Sequence, residues 1–116
     1  MKIFEISKII EGKVKTKISV KVGNEEFKNA FSSDLMSDVL RITSENTILI
    51  TGLCNVQTIR TAEMAEIKLI ILARGKKVDE TMIKLAEENE ITIIETEYSI
   101  FRVSGELYKS GILPIY

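Results

Sequence analysis

"ITGLCNVQTIRTAEMAEI", residues 50–67, runs from an apolar stretch through a glycine-containing turn into a segment with helical spacing. The run that leads into it, "TILITG" (47–52), and the run that leaves it, "IKLIILA" (67–73), are both almost continuously apolar. Such runs are expected of strands covered on both faces. A strand, a turn, a helix and a second buried strand in close succession form a crossover unit, which predicts a mainly parallel sheet with right-handed connections.

The pattern repeats downstream. "VDETMIKLAEENE" (78–90) reads as a helix with Asp79 as its amino cap, Val78 and Ile83 placed to close a hydrophobic staple, and Met82, Leu85 and Ala86 along a buried stripe. "ITIIE" (91–95) is another apolar strand. "SIFRVSGELYK" (99–109) predicts a last helix with Ile100, Val103, Ser104, Leu107 and Tyr108 on its inner face, ending at Gly111.

Upstream, "AFSSDLMSDVLRI" (30–42) ends a strand near Phe31 and begins a helix capped by Ser33 or Asp34. "KVKTKISVKV" (13–22) sets Val14, Thr16, Ile18, Val20 and Val22 against lysines and Ser19, the two-residue period of a strand with one face in water. Its lysine row reads as a solvated, aggregation-resistant face. Gly23 and Asn24 then read as a turn into a second strand bearing Phe27 and Phe31. "KIFEISKII" (2–10) has helical spacing and stops at Gly12. The whole is expected to be one α/β domain over residues 1–116, a mainly parallel sheet with flanking helices plus an N-terminal helix and β-hairpin.

Composition bounds the function. The 116 residues suit one domain with a real core, and 16 Lys and Arg against 17 Asp and Glu leave no charge excess for a nucleic acid or an anionic membrane. No apolar run reaches the ~18 residues of a membrane helix, and the amino terminus lacks a signal-peptide layout, so the chain is read as cytoplasmic. One cysteine permits no internal disulfide, and the absence of histidine removes imidazole bases, His metal ligands and Ser-His or Cys-His pairs. No metal site is expected.

In an open parallel sheet, ligands collect outside the carboxyl ends of the strands, where helix amino termini offer free N–H groups. The loops expected there are 32–34, 51–55, 74–77 and 95–99, which bring hydroxyls, carboxylates and the cations Arg74, Lys76 and Lys77. This suits a small anion, with Thr51, Gly52, Asn55, Arg74, Gly75 and Lys76 as contacts. Each loop taken singly is also an ordinary cap or solvated turn.

On the helix after Asn55, Val56, Arg60, Met64 and Ile67 share one side, and Thr58, Thr61, Ala62 and Ala65 form a small-residue face. Arg60 is therefore expected among apolar neighbours, in need of a carboxylate such as Asp34 or Asp38, or of an anionic ligand. Cys54 precedes a helix amino terminus, a setting that can activate a thiol, but without a base it reads as a small half-buried residue. Gly105 inside a helix costs roughly 1 kcal/mol relative to Ala and is expected to mark the close approach of another backbone, in this chain or a second subunit.

"SSDLMSDVL", "ITGLCNVQTIRTAEMAEI", "ARGKKVDETMIKLAEENEI" and "VSGELYKSGI" together resemble successive blocks of the DRTGG domain family over about residues 27–112. Asp34 or Asp38, Arg60 with Thr61, Gly75 and Gly105 match the residues behind the name. The resemblance implies an α/β domain related to the amino-terminal domains of HPr kinase/phosphorylase and of Mur ligases, tending to form homodimers. It also implies a regulatory role beside catalytic units such as some phosphotransacetylases and inorganic pyrophosphatases. Kinase chemistry is not supported, because there is no G-x-x-x-x-G-K-[ST] loop. The expectation is a non-catalytic regulatory domain without a cofactor, homodimeric, sensing a small anionic metabolite such as an adenine nucleotide through Thr51, Gly52, Asn55, Arg60, Thr61, Arg74, Gly75 and Lys76. Asp34, Asp38 and Gly105 are expected to be structural. The alternatives are a protein-interaction module with no small ligand, or an accessory subunit of an enzyme carried on another polypeptide.

Overall fold

The computed structural model describes residues 1–42 and 44–116. Its parallel sheet is built from the apolar runs. Strand β3 (Thr47–Thr51) is buried at every position, as are β4 (Leu69–Leu72) and β5 (Thr92–Glu95). Helix α4 (Val56–Met64) connects the first two and α5 (Glu80–Glu88) the second two. Asn55 caps α4 by accepting the Thr58 N–H, and Asp79 caps α5 by accepting the Met82 N–H at 2.8 Å. Helix α6 (Ile100–Lys109) follows, capped by Ser99.

Ahead of this unit come α1 (Ile3–Ile9), β1 (Lys13–Val14), α2 (Val20–Gly23), β2 (Asn29–Ser32) and α3 (Met36–Val39), and after it β6 (Leu113–Pro114). The six strands order as β1-β5-β4-β3-β2-β6, with β1 antiparallel to β5 and every other pair parallel. Residues of β3, β4 and β5 alternate between two cores. One lies under α1 and α6 and joins Ile3, Ile6, Val103 and Leu107 to Ile48, Ile50, Leu69, Ile71 and Ile94. The other lies under α3, α4 and α5 and joins Ile59, Ala62, Met82 and Ala86 to Leu49, Ile70, Leu72 and Ile93. Among the described residues no helix is long and apolar enough to cross a membrane.

The expected strand over 13–22 and its hairpin are corrected. The strand stops after Val14 because β5 has only four residues to offer: Lys15 N–H reaches Ile93 O, and Thr16 Oγ1 takes the Ile93 N–H at 3.1 Å. The chain then turns away, with Lys17 N–H bonded to a Glu87 carboxylate and Ser19 capping α2 through the Val22 N–H. Gly23 closes α2 and turns no hairpin; β1 and β2 are separated in the sheet by β5, β4 and β3. Lys13, Lys17 and Lys21 are exposed, but Lys15 is half-buried and Val20, from the expected inner row, is 82% exposed, so the segment has no single solvated face. Tyr108, expected on the inner face of α6, is 68% exposed.

Candidate functional site

Because β2, β3, β4 and β5 run parallel, their carboxyl ends lie on one edge, in register from Ser32 with Ile50 to Thr51 with Leu72 to Glu95. The loops beyond them meet there. Asp34, leaving β2, is not a helix cap: α3 begins after Leu35, and Ser33 Oγ accepts the Leu35 N–H instead. The Asp34 carboxylate reaches across to β3, where Oδ1 accepts the Thr51 hydroxyl at 2.9 Å and the Gly52 N–H at 2.7 Å. Oδ2 lies 3.6 Å from Arg74 Nη2, and the same guanidinium nitrogen donates to Gly52 O at 3.4 Å.

This arrangement explains Gly52. A Cβ there would fall 2.3 Å from Arg74 Nη2, so the missing side chain is what lets the guanidinium lie across the backbone. Arg74 and Gly75 both take positive φ, 65° and 71°, which folds the turn back so that their N–H groups bond Tyr98 O and Thr96 O. The Gly52 amide holds the Asp34 carboxyl below its ordinary value; partial burial opposes this, and the Thr51 hydroxyl and Arg74 add to it. Asp34 therefore stays ionised and Arg74 stays about half exposed, a cation fixed at the edge with one side open to solvent.

Next to it, Glu95 at the end of β5 is a buried carboxylate. Its Oε2 accepts the Val78 N–H at 2.7 Å and its Oε1 lies 3.8 Å from Lys77 Nζ, which also sits 3.7 Å from Glu97. Glu95 thus ties down the loop that carries Arg74 and Lys76. Its signal in the sequence is an acidic residue closing an apolar strand. Cys54 sits against Lys77 O at 3.3 Å and Met82 Sδ. Burial pushes its thiol up, as do the Glu95 and Asp79 carboxylates, with Lys76 opposing, so the group is kept protonated. Among the described residues no cluster of Cys, Asp and Glu gathers as metal ligands would.

The residues singled out from the sequence divide into those that meet and those that do not. Thr51, Gly52, Arg74 and Asp34 form one bonded cluster, with Gly75 and Lys76 in the adjoining turn. Asn55 is exposed and spends its side chain as the α4 cap. Arg60 is exposed rather than set among apolar groups, because α4 turns Thr58, Ile59, Thr61 and Ala62 to the sheet; its expected pairing with Asp34 is replaced by the Asp34–Arg74 contact. Thr61 is buried, and Asp38 lies in the first turn of α3. At Gly105 no atom from outside its own stretch of helix lies within 4 Å of where a side chain would begin, so among the described residues no other backbone approaches it.

No curated protein matches the sequence. Among solved structures, the crystal structure of the CBS and DRTGG domains of the regulatory region of Clostridium perfringens pyrophosphatase, complexed with its activator diadenosine tetraphosphate, matches with a TM-score of 0.78 at 19% identity. The match covers 97% of this chain and 48% of that one, so the chain spans about half the length of that regulatory region and shares the fold of the part it matches. The DRTGG domain model matches residues 5–110, and the chain belongs to the DRTGG domain family.

Proposed function

We propose that this chain is a non-catalytic regulatory domain that senses a small anionic metabolite at the carboxyl edge of its sheet and acts, as a homodimer, on an enzyme carried by another polypeptide. The observation that carries the reading is Arg74: a guanidinium half open to solvent, braced by Asp34 and lying over the bare backbone of Gly52, where four strand-end loops converge. A phosphate is matched by such a planar cation together with the exposed Lys76 beside it. Arg60 and Asn55, exposed on and before α4, are within the proposal as outer contacts. The protonated Cys54 thiol argues for binding rather than nucleophilic chemistry. The pyrophosphatase region of the same fold takes an adenine dinucleotide activator, which makes adenine nucleotides the first compounds to try.

The test is a thermal-shift series with AMP, ATP and acetyl phosphate on the wild type, Arg74→Met and Arg60→Ala. A ligand bound only to the folded state at a hundred times its dissociation constant adds about 2.7 kcal/mol of stability. A concentration-dependent rise in Tm that Arg74→Met abolishes, with the variant still folded, supports the reading. An equal rise in Arg74→Met sinks it.

A second reading, an interaction module that binds no small molecule, draws on the apolar residues left in solvent: Met64 at 72%, Phe101 at 87% and Tyr108 at 68%. Sedimentation of the wild type and a Phe101→Glu, Tyr108→Glu variant separates the two. This second reading requires self-association that the charged variant loses, together with no ligand-induced shift.

A further inference from the structure

Beside the Arg74 cluster, where β2 ends at Ser32, α6, β2 and residues 113–116 line a groove of about 260 Å³ that opens to solvent at Ser32, Tyr108, Leu113 and Tyr116. Its walls are apolar, formed by Phe31, Ile50, Leu107 and Tyr116 among others, and among the described residues no charged side chain lines it. Its polar spot is a pair of serines, Ser32 at the end of β2 and Ser104 on α6, whose hydroxyl oxygens are 2.7 Å apart. An apolar concavity with a few placed polar groups is the usual make-up of a small-molecule site. The volume lies just below the ~300 Å³ at which drug-sized ligands begin, which suits an occupant of about one ring.

The hydroxyl protons can be assigned. Ser104 Oγ–H donates to Ile100 O, one turn back on its own helix, at 2.7 Å. A hydroxyl has a single proton, so Ser32 must be the donor in the Ser32–Ser104 bond. Both serine protons are then spent within the protein, while Ser32 Oγ keeps its lone pairs. The pair can accept a hydrogen bond from a guest and cannot give one. An anion entering the cavity would find no cation and no free serine proton, and would lose its hydration.

From this geometry we infer that the cavity between α6, β2 and residues 113–116 is a second binding site, selective for a small neutral aromatic or branched apolar group that donates one hydrogen bond to Ser32. This site is independent of the anion reading.

The experiment is a ¹H–¹⁵N NMR titration of the full chain with three probes of one size: p-cresol, its methyl ether 4-methylanisole, and 4-methylbenzoate. p-Cresol is expected to give saturable shifts at the amides of Phe31, Ser104, Leu107 and Ile112. The ether, which cannot donate, should bind about tenfold more weakly, the value of one net hydrogen bond of about 1.4 kcal/mol, and the benzoate should not bind. Ser32→Ala should erase the difference between phenol and ether. Ala30→Met, at a residue lining the cavity, should fill it and abolish binding, whereas Arg74→Met should leave p-cresol binding unchanged. The inference is overturned by equal affinity for phenol and ether in the wild type, by shifts that map elsewhere, by no saturable p-cresol binding, or by undiminished binding in a folded Ala30→Met protein.

Discussion

Removing the carboxylate of Asp34 tests the physical account of the edge. That group accepts the Thr51 hydroxyl at 2.9 Å and the Gly52 N–H at 2.7 Å, and Thr51 and Gly52 are both buried. Two bonds to an ionised acceptor, at about 1.5–3 kcal/mol each, set a ceiling of roughly 3–6 kcal/mol. The Asp34 side chain is 45% exposed, so water stabilises it in the unfolded chain and screens it in the folded one, and the ceiling is not reached. Asp34→Ala leaves the Gly52 N–H without its acceptor and should cost about 2 kcal/mol, a fall in Tm of roughly 8 °C. Asp34→Asn keeps an acceptor oxygen but loses the charge, and should cost about 1 kcal/mol.

The pH dependence carries the sign. The folded-state pKa of Asp34 is lowered from 3.8, so its stabilisation is complete above the unfolded value and is lost as pH falls through the folded one. The stability gap between wild type and Asp34→Asn should therefore be constant from pH 7 to about 5 and shrink below about 4. Urea denaturation followed by circular dichroism at pH 7, 5, 4 and 3 measures it. An Asp34→Ala protein within 0.5 kcal/mol of wild type at pH 7, a threshold of the size expected for neutral surface changes of about that value, would refute the reasoning. So would a wild-type to Asn gap that does not change with pH.

The other expectations follow from single contacts. Glu95→Ala leaves the half-buried Val78 N–H without its acceptor and should cost about 1–3 kcal/mol in urea unfolding, while Glu95→Gln, which keeps an acceptor, should cost less than half as much. Gly75→Ala places a Cβ at positive φ and 2.7 Å from Glu97 Oε2, a loss of about 1 kcal/mol by the same assay, most of which should remain in the Glu97→Ala background if backbone strain dominates. Cys54 should be alkylated by iodoacetamide more slowly than free cysteine at pH 7.5, because its raised thiol pKa leaves less thiolate; faster alkylation would contradict the burial argument.

How much of this could be read from the sequence depended on whether the determinant was local. The strands β3, β4 and β5 were legible because each is an unbroken apolar run, and α5 because Asp79 announces its cap. The convergence of the strand-end loops followed from the parallel order. The lysine-rich segment misled because alternation describes side chains and says nothing of partners: residues past Thr16 find no strand left to pair with. The α2 helix hid inside the same alternation, with Ser19 its one clue. Arg60 shares a side of α4 with Val56, Met64 and Ile67, apolar company that suggests burial, but the small-residue face is the one turned to the sheet and Met64 is 72% exposed. Arg74 was named as a loop cation, but its reach over Gly52 to Asp34 joins three loops far apart in the chain, and no local pattern encodes that.

The antiparallel pairing of Lys13 and Val14 with Glu95 and Ile94 also sets a clock. The edge that β1 closes cannot exist until a strand roughly eighty residues further on has left the ribosome, a delay of about 4–16 s at 5–20 residues per second. During that interval β1 has no native partner, and Lys13, with Lys15 and Lys17 just beyond the strand, sets positive charges there that hinder its pairing with another nascent chain. These lysines, which contribute little to the finished sheet, thus protect the chain while it is being made.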